Sequence, residues 1–322
     1  MELGRAARTR TRETATMSFL QKIQGQIDKV HAKLDQVGAI AVGVGKSLRA
    51  LGKVREALGR VEARQCSGVA GLAANEFQVY SQWGEDGIIQ HLLRHVPVAR
   101  KIFVEFGVQD YTESNTRFLL VNNNWAGLVM DASAADIGYI RRDEIYWRHN
   151  LKAVQTFITR ENINDLLRDN GVAGEIGLLS VDIDGNDYWV WEAIEGVSPA
   201  IVIVEYNSRF GPERAVTVPY DPAFVREKAH HSCAYYGASL AALVALGGRK
   251  GYAFVGSNTT GNNAFFVRRE LKPDALRELT AAEGFVALQF REARDEHGRL
   301  AHLSPEEEAA MVNALPLVEV PR

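Results

Sequence analysis

Residues 178–191 read LLSVDIDGNDYWVW, and they carry three acids close together. Asp182 and Asp184 stand one residue apart behind a short apolar run, and Asp187 follows three residues later. Carboxylates at such spacing are hard oxygen ligands suited to a divalent cation. An EF-hand loop counted from Asp182 needs Gly at its sixth position and Glu at its twelfth, and Asp187 and Ala193 stand there instead. Two other uses of the motif remain open. A D-x-D pair can hold a cation on a nucleotide diphosphate, as in GT-A-like glycosyltransferases, or it can end a strand at the rim of an active-site crevice. The structural alternative is that all three acids cap helices and fix turns.

The elements around the motif decide which use is possible. Glu105 in KIFVEFG, Asp131 in WAGLVMDAS and Glu205 in AIVIVEYN each close a short apolar run, as Asp182 and Asp184 do. Such runs, bounded by turn residues, read as buried strands: 101–107, 125–133, 152–159, 177–184 and 200–207. Between and around them the pattern predicts helices over 85–95, 114–123, 161–170, 188–194 and 237–247. GYAFVGS (251–257) and NNAFFVRR (262–269) flank a turn at 258–261, a hairpin signal. Alternation of this kind predicts an α/β fold with a doubly wound, mainly parallel sheet. Ligands of such sheets bind beyond the carboxyl ends of the strands, where every acid named above stands.

Gly107 lets a ligand approach the backbone closely, and the helix start near Ser114–Asn115 offers free amides to an anionic group. Asp131 is placed to accept hydrogen bonds from two ribose hydroxyls. The dinucleotide fingerprint G-x-G-x-x-G is absent, since Gln109 and Tyr111 stand where further glycines would be needed. A nucleoside with a small charged tail therefore fits better than a pyrophosphate.

From about Tyr80 to Arg269 the chain resembles the class I S-adenosylmethionine-dependent methyltransferases, and within them it is similar to the FkbM-like group. The resemblance is carried, in order, by SQWGEDGII (81–89), FVEFG (103–107), SNTRFLL (114–120), NWAGLVMDAS (124–133) and LLSVDIDG (178–185). It implies a Rossmann-like, seven-stranded methyltransferase sheet and S-adenosyl-L-methionine as cofactor. Glu105 and Gly107 would lie beside the methionine part and Asp131 would hold the ribose; Gln109, Asn115 and Asp182 complete the expected cofactor set. Tyr111 departs from the family pattern, which commonly has Gly there.

In some sugar and catechol O-methyltransferases, hard ligands at two neighbouring strand ends hold Mg2+. Asp184, Glu205 and Asn207 are accordingly the expected metal ligands, with Asp182 beside them. Asp187 and His231 are the candidate bases for an acceptor hydroxyl. The segment 207–224 is too long for a plain connection and reads as a lid, with Arg209 and Tyr220 facing substrate. The leading expectation is an O-methyltransferase acting on a hydroxyl of a carbohydrate or glycosylated small molecule. A GT-A-like glycosyltransferase and a non-catalytic scaffold on a coiled coil are the alternatives.

Composition bounds the rest. The chain has 322 residues, 46% apolar and 24% charged. Residues 1–64 carry 13 Lys/Arg against 6 Asp/Glu, a net of +7, so the remainder carries −10. An acidic body argues against nucleic acid as a partner, while the basic arm suits an acidic partner or peripheral contact with a membrane. Cys66 and Cys233 make no metal spacing and no disulfide framework, which suits two reduced thiols in the cytoplasm. Residues 1–16 are Arg/Thr-rich and read as a disordered leader. From Leu20 a 3-4 apolar spacing runs through Ile23, Ile27, Val30, Leu34, Val37, Ala41, Val44, Leu48 and Leu51 to Leu58, a coiled-coil seam within a helical extension over 17–64 and a sign of homo-oligomerisation. Residues 65–78 read as the link, 75–270 as the catalytic body and 271–322 as an acidic, helical C-terminal extension.

Overall fold

The computed structural model describes residues 2–65 and 71–322. Cys66 and the start of the expected link lie outside the described residues. The chain divides into two compact units, Met1–Leu58 and Gly59–Arg322. Glu2–Gln65 form one helix, α1, so the backbone of the stretch expected as a disordered leader is helical. The boundary falls earlier than the expected link because residues 59–65 pack as part of the body. Ala63 is buried with Val79, Tyr80 and Phe118, and Arg94 donates to the Ala63 carbonyl. Among the described residues, no helix is long and apolar enough to cross a membrane.

In the second unit the elements run α2 (Glu85–His95), β1 (Ile102–Phe106), α3 (Arg117–Asn123), β2 (Ala126–Asp131), α4 (Ala134–Arg142), α5 (Glu144–Arg148) and β3 (Leu151–Gln155). Then follow α6 (Ile163–Asp169), β4 (Gly174–Val181), α7 (Asp187–Ala193), β5 (Val197–Glu205), β6 (Val216–Thr217), α8 (Arg226–Ala229) and α9 (Leu240–Arg249). The chain closes with β7 (Tyr252–Ser257), β8 (Asn263–Arg268), α10 (Ala281–Gly284), α11 (Pro305–Asn313) and β9 (Val318–Glu319). Every strand and helix expected from periodicity is present, with ends shifted by a few residues.

Seven strands form one sheet in the order β3-β2-β1-β4-β5-β8-β7. β1 to β5 are parallel, and β8 runs antiparallel to both β5 and β7. This is the doubly wound, mainly parallel seven-stranded sheet that the sequence implied. Order reverses between β1 and β4, which opens a crevice beyond their carboxyl ends. Strand alternation sends Val104 and Phe106 to one face, against Val190, Leu243 and Leu246. Phe103 faces the other way, into a layer with Ile88, Leu92, Leu119 and Leu120. The same alternation turns Glu105 to the side of Phe103, which buries a carboxylate at the strand end.

Two regions differ from expectation. Residues 134–148 form α4 and α5, which lacked a strong apolar period; Ser133 caps the first through a bond from the Asp136 N–H, and Asp143 caps the second. The C-terminal extension is helical only at α10 and α11, both opened by capping boxes. Elsewhere residues 271–322 run as a strap over the body, ending where β9 pairs with β6. Long-range ion pairs, described below, hold the strap where amphipathic periodicity is lacking.

Candidate active site

Two cavities meet at the crevice. The first is lined by Gly107, Gln109, Met130, Asp131, Thr156, Phe157, Ile158 and Phe224, with Asp182 and Asp184 at one side. The second is lined by Gln82, Glu105, Gly107, Gln109, Ser114, Asn115, Asp182 and Asn263. Gly107, Gln109 and Asp182 belong to both. All six residues expected to bind the cofactor therefore converge on this crevice.

Their geometry explains their types. Glu105 Oε1 accepts from Asn115 N–H at 2.8 Å, and Oε2 accepts from Thr116 N–H at 3.1 Å and from the Thr116 hydroxyl. The free amides at the start of α3 are thus taken by a side chain of the protein, which fixes the turn 107–116. Burial still pushes the Glu105 carboxyl up to about 7. Asn115 Nδ2 donates to Ser180 on β4 at 3.1 Å, tying this turn to the central strand. Asp131 accepts from Gln109 N–H and from Ser133 N–H, both at 2.8 Å, so its carboxylate is aimed at the cavity mouth.

Gly107 has φ +70, and a Cβ there would stand 1.7 Å from the carbonyl oxygen of Asp182. Only glycine lets the loop after β1 cross the loop after β4. Gln109, Tyr111 and Asp184 also take left-handed backbone, at φ 48, 63 and 55. Three non-glycine residues in that region around one crevice cost on the order of 1–3 kcal/mol each, a form of strain that concentrates at functional sites. Tyr111 adopts the conformation that a glycine would take most easily. Its fully buried ring and its hydroxyl, 3.0 Å from Thr116 Oγ1, hold it there.

At the ends of β4 and β5, carboxylate oxygens of Asp182, Asp184 and Glu205 lie within 4.8 Å of one another. Burial first, then the neighbouring acids, pushes the Asp182 and Glu205 carboxyls well above the usual range. Glu205 Oε2 is buried and has no hydrogen-bond partner among the described residues. The Arg226 guanidinium sits on Asp184 at 2.5 Å and on Glu292 at 2.6 Å, and lies 3.8 Å above the Tyr236 ring. Strand ends thus supply the acids, and the strap and the long loop supply the charges around them.

Several expected site residues do other work. Asn207 Nδ2 donates to the carbonyls of Ala234 and Tyr236, and its Oδ1 accepts from Arg209, so Asn207 fixes the loop, while Asp182 stands with Asp184 and Glu205. Asp187 is fully buried and accepts from Ile183 N–H at 2.8 Å and Gly185 N–H at 2.9 Å. It closes the D-x-D turn, and its carboxyl, pushed up to about 6 by burial, does not line either cavity. His231 is exposed, stacks on His230 at 4.1 Å, and also lies outside both cavities.

Arg209 is buried against Glu308 at 2.7 Å and Glu292 at 3.1 Å, anchoring the C-terminal strap instead of facing substrate. Tyr220 bonds Glu161 and lies under Arg160 at 4.1 Å, and it lines neither cavity. Of the expected lid, Phe224 is the residue that reaches the first cavity, packed where a Cβ on Gly185 would lie 2.2 Å from its ring.

Sequence reasoning missed Arg226, Glu292, Asn263 and the Thr156–Ile158 wall. Asn263 Nδ2 donates to Glu85 at 2.9 Å, while its buried Oδ1 has no partner among the described residues and stands at the second cavity. Glu85 also accepts from the N–H groups of Trp83 and Gly84, and Asp86 accepts from those of Val79, Tyr80 and Ser81. The acids of SQWGEDGII therefore shape one wall of the site through the backbone. The signal for Thr156–Ile158 is that they close the expected third strand, 152–159, as the acids close the other strands.

No protein-family model matches the chain, and no functionally curated protein matches it. Among solved structures, the N-terminal domain of EvdMO1 with SAH bound aligns over 66% of this chain and 94% of its own, at 11% identity and a TM-score of 0.37. M. capricolum TrmK in complex with S-adenosyl-homocysteine aligns over 63% and 75%, at 10% identity and a TM-score of 0.33. A SAM dependent methyltransferase from Aquifex aeolicus aligns over 56% and 89%, at 10% identity and 0.35. Likeness at this level carries no weight for function, which has to come from the site.

Proposed function

We propose that the chain is an S-adenosylmethionine-dependent O-methyltransferase, FkbM-like in kind. Its acceptor is a hydroxyl of a carbohydrate or glycosylated small molecule, and a divalent cation assists. The observation that carries the reading is the joint placement of Asp131, Glu105 and the Asp182–Asp184–Glu205 cluster around one crevice of a doubly wound sheet.

Each half of the crevice suits a part of such a reaction. Asp131 has lone pairs left for two ribose hydroxyls, and Met130, Phe157 and Ile158 offer an apolar slot for a base. In the second cavity the acceptors Asn263 Oδ1 and Asp182 suit an ammonium group, as an amino-acid tail carries. Methyl transfer forms a carbon–oxygen bond while the carbon–sulfur bond of a sulfonium breaks, and the acceptor hydroxyl must lose its proton. Asp182, which lines both cavities, is the group at hand to receive it, because in the cation-free site burial and the neighbouring acids make its carboxylate a stronger base.

The same cluster fits a hard cation. It has three carboxylates in reach of one ion, and the partnerless, buried Glu205 Oε2 is the kind of atom that cation binding satisfies. A cation held there would lower the pKa of a coordinated hydroxyl.

The deciding experiment is calorimetric titration with S-adenosylhomocysteine, with and without Mg2+, beside a UDP-sugar. Micromolar binding of the homocysteine nucleoside is expected. Binding of the UDP-sugar alone would replace this reading with a glycosyltransferase, and silence from both would leave a scaffold.

A further inference from the structure

Helix α1 carries an apolar seam whose composition specifies how many helices it takes. From Ile27 to Leu51 the heptad a positions are Ile27, Leu34, Ala41 and Leu48, and the d positions are Val30, Val37, Val44 and Leu51. The large side chains among them are 42–63% exposed, which leaves eight core layers without a covering surface in the isolated chain. A strict seven-residue repeat makes a straight helix drift off its own stripe, so the stripe stays covered only if the partner is another helix wound around it.

The flanks say how many partners there are. A two-stranded coiled coil edges its seam with charged e and g residues that pair across the interface. Between residues 38 and 54 those positions are Gly38, Ile40, Gly45, Ser47, Gly52 and Val54, without a charge among them. The charged residues of this stretch, Lys46, Arg49 and Lys53, all stand at b or f, on the far side of the helix. An uncharged flank widens the stripe until it faces two neighbours. A Cβ on Gly38 or Gly52 would meet nothing within 4 Å, so there is room for a helix to pass closely at the e edge. In the core, Leu holds two of the four a positions and β-branched Val three of the four d positions, nearest to the Leu-at-a, β-branched-at-d arrangement that favours four strands over two.

We propose that four copies of this chain associate through residues 27–51 as a four-helix coiled coil. The partner is a second, third and fourth copy because the seam's own period and layer composition complement themselves, and from residue 38 on its like-charged residues are held at the outer face, Lys33 alone among the basic residues of 27–51 standing at a g position. The proposal is independent of the methyltransferase reading.

Light scattering on the full chain tests it. The expected mass is about four times the 35.6 kDa of one chain, and a monomer, dimer or trimer overturns it. The double substitution Val37→Asp with Val44→Asp is expected to give a monomer whose body melts as in the wild type. A variant that stays tetrameric would put the contact elsewhere. An exchange variant (Val30→Leu, Val37→Leu, Val44→Leu, Leu34→Ile, Leu48→Ile) is expected to drop to two chains, since β-branched a with Leu at d favours dimers. Persistence of four chains there would remove the layer composition as the cause. A wild-type monomer that partitions onto anionic phosphatidylserine vesicles overturns the proposal by giving the seam to lipid.

Discussion

The two sides of the crevice are built on opposite principles. At the ends of β1 and β2, Glu105 and Asp131 are matched by backbone N–H donors of the loops that follow the two strands, at 2.8–3.1 Å. At the ends of β4 and β5, Asp182, Asp184 and Glu205 crowd together, with one arginine against Asp184 and a buried oxygen that lacks a partner among the described residues. The first side is held in place by the protein's own backbone. The second concentrates negative charge that a cation or a proton must balance, and charge concentrated in a partly dry site is what lowers barriers. Binding and chemistry should therefore separate between the two sides.

The largest expected effect tests that separation. Glu205→Gln should lower methyl transfer by about 10²–10³-fold while leaving affinity for S-adenosylhomocysteine within a few-fold. Equal losses of turnover and affinity, measured by steady-state assay and calorimetry, would erase the division. Gly107→Ala tests where the sides touch. Its Cβ would drive into the Asp182 carbonyl at φ +70, and the loss should be roughly 3–5 kcal/mol, read as a fall in urea midpoint. A midpoint within 0.5 kcal/mol of wild type would mean the two loops are free to part.

Glu105 gives a pH signature on the first side. Its carboxyl stands at about 7 in the fold against an ordinary 4.5. A raised value means that folding favours the protonated form, so this contribution is full below about pH 4.5 and is lost as pH rises through 7. Relative to Glu105→Gln, the wild type should lose up to roughly 3 kcal/mol of unfolding free energy between those limits. A difference that grows with pH would contradict the burial that causes the shift.

Asp131→Ala should weaken S-adenosylhomocysteine by about 10–100-fold, the worth of one or two charge-assisted hydrogen bonds. Turnover at saturating cofactor should hardly change, and a collapse of turnover with intact affinity would reverse the roles of the two sides. The smallest effect is expected from Mg2+, which should raise the melting temperature by a few degrees at concentrations well above its Kd. Asp184→Ala should abolish that rise; a rise that persists would place the ion elsewhere.

How much of this was legible without coordinates differs between the two sides as well. Glu105, Gly107 and Asp131 close short apolar strands, and a strand end in a doubly wound sheet is a position that periodicity alone reveals. The partners of the second side are remote in sequence. Arg226 is 42 residues from Asp184, Arg209 is 83 from Glu292, and Arg209 is 99 from Glu308. Their segment shows no apolar period, because ion pairs and capping boxes hold it. Asp187 closes the D-x-D turn, and from spacing alone an acid that closes a turn looks the same as one that faces a ligand.

The sequence by itself determined the local features. These are which runs become strands, which acids end them, where glycine is required, and the heptad seam of α1. Each depends on a period or a conformation that neighbouring residues impose on one another. Only the tertiary structure decided which carboxylates converge, that Asn207 turns to the loop backbone, and that Arg226 and Glu292 stand around them. Those meetings follow from crossovers and from the return of the C-terminal strap over the sheet. Charge pairing across such distances in sequence leaves no periodic trace.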